Sequence, residues 1–416
     1  NQYERSQRVK GADKAAFADG KAKLPENTNG YNDLLDEARW MMDFMLAMQV
    51  PEGKKAWVPV GNQLQHMNRL ELSRIDASGM VFHKVADAKW TGLPTPPHKD
   101  TQLRQLSHPS TAATLNMAAT AAQAARVWRS LDPEYARQCL RAAERAWQAA
   151  RKNPEIYAYG NFTGSGPYED YELSDEFYWA AAELFATTGS KEYEQALKAS
   201  PHYLAVPKGD LDGSGDIFWA NVRTLGTITL ASVPNRLAPA EVEKARRKLI
   251  EAAGAYLAQT DREGYLIPFK VKEYEWGSNS AILNRSLILA QAYDFTGERK
   301  YLQAVSDSMD YILGRNPLDQ SYVSGYGSRP AQNPHHRFWA HQNDASSPRV
   351  PPGVIVGGPN SVHFSDPVAV RLKGKCVGQT CWSDDIGAWT LNEIAVTWNS
   401  PLLWVSSVLD EGGLAR

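Results

Sequence analysis

Cysteine is scarce: the 416 residues contain three, at positions 139, 376 and 381. No C-x-x-C pair and no Cys/His zinc spacing can be drawn from them, which excludes a zinc-stapled or disulfide-framed small domain. Cys376 and Cys381, in KCVGQTCW, lie close enough to close one small loop and so point to an oxidising compartment, but from spacing alone two free thiols account for them nearly as well. Excess charge of either sign is also lacking. A formal net charge of −2 creates no global attraction to nucleic acid or acidic lipid, so neither is expected as a partner. Long apolar runs are absent too. The most nearly uncharged stretch, residues 382–410, is interrupted by Asn392, Glu393, Thr397, Asn399, Ser400 and Pro401, and no run reaches the ~20 apolar residues that a membrane span needs.

What the chain has in plenty is aromatic side chains, with 13 Trp and 18 Tyr. Flat amphipathic rings suit stacking on sugars, although they also serve ordinary cores and interfaces. Helical periodicity runs through most of the length. Residues 31–50 read as a helix with Leu34, Ala38, Met41, Met45 and Met48 on its core face, closed by Pro51 and Gly53. An Ala-rich helix capped by Ser110 follows over 110–128, and a second begins at Pro133, which suits a first helical position. Residues 175–189 form a helix with Asp175 and Glu176 in its first turn and Gly189 at its end. Further helices are expected over 191–199, 217–231, 238–259, 279–297 and 298–314. Residues 56–109 are irregular, with GMVFHKV as a short strand, and the chain turns to Gly, Pro, His and aromatic-rich loops over 322–371. Long loops in compact proteins commonly build sites.

An internal echo organises the helices. Thr188-Gly189 followed by Tyr193 and Ala196 recurs as Thr296-Gly297 followed by Tyr301 and Ala304, as expected when helical hairpins repeat around an axis. No linker-like composition interrupts the chain, so a single domain over 1–416 is expected.

Between Asp385 and Asp410 the only charged side chain is Glu393. Leu391, Ile394, Ala395 and Trp398 share one helical face and Trp389, Glu393 and Val396 another, so a helix apolar on both sides is expected, capped by Asp384 or Asp385 and ended or kinked at Pro401. A carboxyl group held there can stay protonated near neutral pH and act as a general acid, while a structural ion pair explains the same residue equally well. NPHHR gathers His335, His336 and Arg337, donors able to hold sugar hydroxyls, or simply a polar surface loop. Trp276 in EYEWGSN is read from its own motif as a core ring. The acidic run GPYEDYELSDE, with Asp170, Asp175 and Glu176 among its carboxylates, offers hard oxygen ligands for Ca²⁺, or a solvated turn paired with a helix dipole. GDLDGSGD resembles the start of a calcium loop, but Asn221 holds the place of the closing Glu.

HKV, DEFYWAAAELFATTG, WGSN, YVSGYG, NPHHR, PPGVIVGGPN and DDIGAWTLNEIAVTWNSPL occur in order, and together resemble the catalytic domain of glycoside hydrolase family nine, the inverting cellulases. The resemblance runs from about residue 1 to 409. It implies an all-α (α/α)6 barrel, a toroid of helical hairpins, with long loops forming a cleft for β-1,4-glucan or cello-oligosaccharide. It implies Glu393 as the general acid, Trp398 as a ring stacking near the scissile sugar, His83, His336 and Arg337 as contacts to the sugar at or beside the cleavage point, and Trp276 as a cleft aromatic; His335 stands with them as a binding candidate. It also implies a structural Ca²⁺ on Asp175 and Glu176, with Asp170 as a further candidate, secretion to the cell exterior or periplasm, and with it a Cys376–Cys381 disulfide. One departure matters. The family's base lies in a DAGD motif that this sequence lacks; the chain starts abruptly at NQYERSQ with no initiator Met, so an N-terminal segment of the same precursor is expected to supply it. Exo-acting cellobiohydrolase and β-glucosaminidase activities fit the same chemistry, and a non-catalytic glycan-binding chain is the competing expectation.

Overall fold

The computed structural model describes residues 1–9, 17–60, 71–158, 164–207, 216–269 and 274–414. The calcium-loop-like GDLDGSGD is outside the described residues except for Asp216. The chain divides into two compact units. One comprises Asn1–Trp90, Gln102–Val206 and Trp219–Ala245, the other Thr91–Thr101, Pro207–Phe218 and Arg246–Arg416.

The first unit carries helices α1 (Gln2–Arg8), α2 (Asp33–Ala47), α3 (Thr111–Trp128), α4 (Pro133–Lys152), α5 (Ser174–Thr188), α6 (Lys191–Ala199) and α7 (Arg223–Ser232), and the start of α8 (Pro239–Thr260). Helix α3 packs on both α4 and α5. Its buried residues include Ala112, Ala118, Ala119, Ala121, Ala122 and Ala125, side chains small enough to let neighbouring helices approach closely. The expected cap of α3 is in place, Ser110 Oγ accepting from the Ala113 amide at 3.1 Å, and Pro133 stands at the first position of α4 as expected, where Asp132 Oδ1 caps by accepting from the Tyr135 amide at 3.0 Å. Around 56–109, where one short strand was expected, the described residues form three two-stranded antiparallel ribbons: β1 (Lys55–Pro59) with β2 (Leu72–Asp76), β3 (Val81–Phe82) with β6 (Pro109–Ser110), and β4 (Val85–Asp87) with β5 (Arg104–Leu106).

Two expectations shift. Helix α2 buries Asp33, Leu35, Asp36 and Met42, whereas Trp40, Met41 and Phe44 are exposed. The core face is rotated from the expected stripe because two carboxylates take part in it: Asp33 accepts from the amides of Gly20 and Ala22, and Asp36 from Asn29 Nδ2. Helix α7 starts at Arg223 rather than 217, since the Val222 amide donates to Asp175 Oδ2 at 2.8 Å instead of joining a helical ladder.

The second unit continues α8 and adds α9 (Ser278–Thr296), α10 (Arg299–Ile312), α11 (Ala369–Leu372), α12 (Trp389–Asn392) and α13 (Val396–Leu414). Helix α9 packs on α10 and α13. The Thr-Gly echo is a repeated structure. Thr188 Oγ1 donates to Leu184 O at 2.7 Å and accepts from the Ser190 amide; Thr296 Oγ1 donates to Ala292 O at 2.8 Å and accepts from that of Glu298. Gly189 and Gly297 follow at φ 68° and 71°, the left-handed turn that glycine adopts without Cβ strain. Tyr193 and Tyr301 are buried in each case. Cys376 and Cys381 are joined as a disulfide, while Cys139 is free and buried. Among the described residues no helix is long and apolar enough to cross a membrane.

One buried charge cluster links three helices of the first unit. Arg126, on α3, meets Glu4 of α1 at 2.7 Å and Glu183 of α5 at 2.8 Å, with Thr187 Oγ1 at 2.8 Å from its Nη1. Burial raises the Glu4 pKa, but the bonds and charge of Arg126 more than reverse this and hold it at about 2. Arg126→Ala removes the guanidinium shared by two buried carboxylates and should cost about 3–5 kcal/mol in urea unfolding. Loss of the exposed Arg151–Glu192 pair should cost at most about 1 kcal/mol. Equal costs would contradict this reading.

Candidate active site

Glu393 is not inside a helix. Helix α12 ends at Asn392, Glu393 is extended at φ −67°, ψ 158°, and α13 restarts at Val396 with Pro401 inside it. The expected two-sided apolar helix is therefore broken in two. Helix α13 buries Pro401, Trp404, Val405 and Val408, a single face, and leaves Val396 and Leu403 exposed.

What holds Glu393 is backbone hydrogen bonding on both sides. Its carbonyl accepts from the Gly357 amide at 2.9 Å, and that of Leu391 accepts from Gly358 at 3.0 Å. On the other side His335 forms a parallel bridge with Glu393, its amide donating to Asn392 O at 2.9 Å. VGGPN and NPHHR thus flank the acid. Two glycines in VGGPN are required by close approach: a Cβ on Gly357 would lie 3.1 Å from the Trp398 ring, and one on Gly358, at φ +97°, 2.4 Å from the Asn279 side chain. Trp398 also lies against Gly277, so its indole packs on both glycines.

Burial pushes the Glu393 pKa up to about 7, while a hydrogen bond from Trp276 and the charge of Arg337 pull the other way. Trp276, read from its motif as a core ring, is partly exposed and contacts the acid. The two histidines have opposite tautomers. His335 Nδ1 lies 2.6 Å from Ile386 O, which can only accept, so Nδ1 carries the proton. His336 Nδ1 accepts from the amides of Phe338 and Trp339, which leaves its N–H at Nε2 as a donor. Burial lowers both pKa values, that of His336 to about 4, so both rings are neutral near pH 7. His336 stacks on Trp339 at 4.3 Å and His335 meets Trp389 edge-on at 5.7 Å. Arg337 Nε donates to Thr91 O at 2.8 Å.

The residue that sequence reasoning missed is Asp384, taken for a helix cap. It caps nothing. Its carboxylate accepts from the amides of Gln332 and Asn333, both at 2.9 Å, and from Asn392 Nδ2 at 3.2 Å, so one side chain ties NPHHR to the residue preceding Glu393. A polar Asp-x₇-Asn spacing was the only signal available.

In the first unit, both ring nitrogens of His83 are taken. Nδ1 lies 2.8 Å from Ser110 Oγ and Nε2 2.9 Å from Tyr168 O, which fixes the proton on Nε2. Burial holds its pKa at about 4. Asp170, Asp175 and Glu176 are buried, and Asp170 Oδ2, Asp175 Oδ1, both oxygens of Glu176 and Asn221 Oδ1 have no donor among the described residues. Burial, then the charges of Asp175 and Asp170, push the Glu176 pKa to about 11. No group of three or more His, Cys, Asp or Glu among the described residues is arranged to hold a metal, so these three carboxylates do not make a metal site by themselves.

Residues 7–406 match the profile of glycosyl hydrolase family 9. The chain belongs to that family. It is 46% identical over 99% of its length to a cellulose 1,4-beta-cellobiosidase of Acetivibrio thermocellus, of which it covers 46%. It is 42% identical, again over 99%, to endoglucanase C of Cellulomonas fimi, of which it covers 35%. The chain thus spans less than half the length of these two relatives. It also superposes on the crystal structure of a metagenome-derived glycoside hydrolase family 9 endoglucanase with a TM-score of 0.81 at 30% identity, covering 99% of this chain and 67% of that one. The fold class is accordingly the all-α (α/α)6 barrel.

The geometry predicts how Glu393 titrates. Its carboxyl carbon, followed by NMR, should titrate near pH 7, and Trp276→Phe, which removes a donor to the charged form, should move the midpoint upward. A midpoint near 4.5 in the parent, or a downward shift in the variant, would contradict the assignment.

Proposed function

We propose that residues 1–416 form one domain that supplies the acid side of the site in an enzyme that hydrolyses β-1,4-glucosidic bonds in cellulose or related glucans with inversion. The observation that carries the reading is the placement of Glu393, held between the VGGPN and NPHHR segments with the Trp276 indole donating to it and burial pushing its pKa up to about 7. Below that pH Glu393 is protonated and can give its proton to the glycosidic oxygen, so that the leaving sugar departs as a neutral alcohol. Water attacks the anomeric carbon from the opposite face and loses its proton to a base, the two carboxyl groups of an inverting pair standing about 6.5–9.5 Å apart. The base is assigned to a carboxylate outside these 416 residues, because the DAGD motif that the resemblance requires does not occur in the sequence. Trp398 and Trp276 offer ring faces for sugar stacking, and His336 an N–H at Nε2 for a hydroxyl. Endo and exo action remain equal within this reading.

The same proposal includes a structural Ca²⁺. Asp175 and Glu176, with Asp170 beside them, would hold it, and its charge would offset three carboxylates of which four buried oxygens otherwise lack donors among the described residues. The Cys376–Cys381 bond supports folding in an oxidising compartment, and hence secretion.

Glu393→Gln should retain the fold and cello-oligosaccharide binding but lose about 10²–10⁴-fold in hydrolysis of unactivated substrate; near-parent turnover would refute the role. Adding Ca²⁺ should raise the melting temperature by mass action and a chelator should lower it, with Glu176→Gln abolishing the response. A melting temperature indifferent to both would remove calcium from the proposal.

A further inference from the structure

The disulfide loop lies against both sides of the acid's surroundings. On one side, Cys381 O accepts from the Asn360 amide at 2.9 Å, and Asn360 Nδ2 donates to Thr390 O at 3.0 Å. The next residue, Trp382, donates from Nε1 to Leu391 O at 3.2 Å. That same carbonyl receives the Gly358 amide, whose neighbour Gly357 holds Glu393 O. On the other side, Gln379, inside the loop, donates from Nε2 to Tyr274 Oη at 2.6 Å. Tyr274 exchanges backbone and side-chain bonds with Ser361, and lies two residues before Trp276. Gly378 packs on the Tyr274 ring.

The arrangement is more than a staple between neighbours in sequence. A bridge between residues five apart constrains the unfolded chain less than a long-range one would, yet Cys381 is fully buried and its loop reaches two separate segments, one carrying the acid and the other carrying the indole beside it. Without the bond, the 376–381 turn can open, Gln379 and the Cys381 carbonyl shift, and the two segments lose a shared anchor. Misplacement of a catalytic group by about 1 Å is enough to cost on the order of 10²-fold.

We propose that the Cys376–Cys381 loop is a positioning element for general-acid catalysis, acting through Gln379 and Tyr274 on the Trp276 segment and through Asn360 and Trp382 on the Glu393 segment. The inference rests on the acid role given to Glu393 above. Its signature is selective: a displaced acid slows departure of a poor leaving group, but matters little when the leaving group needs no proton.

The test compares kcat/KM of the catalytically active protein on cello-oligosaccharide and on a dinitrophenyl β-cellobioside, for the parent, the paired Cys376→Ser and Cys381→Ser substitutions, Gln379→Ala and Glu393→Gln. The paired serine variant should lose about tenfold or more on cello-oligosaccharide and at most about twofold on the dinitrophenyl substrate. Gln379→Ala, which keeps the disulfide, should show the same selectivity to a smaller degree, and decides the matter if the serine variant does not fold. Equal losses on the two substrates, or none, would overturn the positioning role and leave the bond a structural link. If Glu393→Gln itself loses activity equally on both substrates, the acid assignment fails and takes this inference with it. If Glu393→Gln is selective and the loop variants are not, only the inference fails.

Discussion

Holding one carboxyl group half-buried is the constraint on which the rest of this site depends. A pKa raised from 4.5 to about 7 means that ionising Glu393 is harder in the folded protein than in the unfolded chain. The sign follows directly: the raised folded value leaves stability intact below about pH 4.5 and takes it away as pH rises through 7, by roughly 3 kcal/mol in all. A fold accepts such a cost only where neighbouring structure over-determines the geometry. Here that structure is backbone: amides of 357 and 358 on one side and residue 335 on the other, with Asp384 holding the NPHHR segment against Asn392. The helical surroundings, including α9 packed on α10 and α13, supply the fixed frame from which these loops project.

Neutral histidines belong to the same economy of charge. His335 and His336 are both held below the ordinary imidazole range by burial, so neither adds a positive charge that would favour ionised Glu393. Arg337 is the cation among the three NPHHR side chains, and its charge does lower the Glu393 pKa. The balance that sets the value near 7 is therefore burial against one indole donor and one guanidinium, and it is open to adjustment by moving either.

Much of the helical content was legible because local signals and tertiary demands agree. Ser110, Asp132-Pro133, Gly189 and Gly297 mark helix ends in sequence and occupy those positions in space. The failures have a common cause. In 382–410 apolar periodicity continued through Glu393, but hydrogen bonds to distant glycines and to His335 outcompeted the helical ladder there. Along α2 the Met stripe predicted the wrong face because Asp33 and Asp36, which count as polar in any periodicity, are buried by their bonds to loop amides and Asn29. Of the site, the ionisable residues could be named from the sequence. The roles of Asp384 and Gly357 could not, since each depends on contacts between segments far apart in the chain.

The claim that Glu393 acts as a half-buried general acid is tested most directly by the pH dependence of kcat/KM on an unactivated cello-oligosaccharide. The account predicts a single-proton decline as pH rises through about 7, because the active form is the protonated one. A rate that stays level up to pH 9, or that already falls near the ordinary carboxylate value of about 4.3, would contradict it.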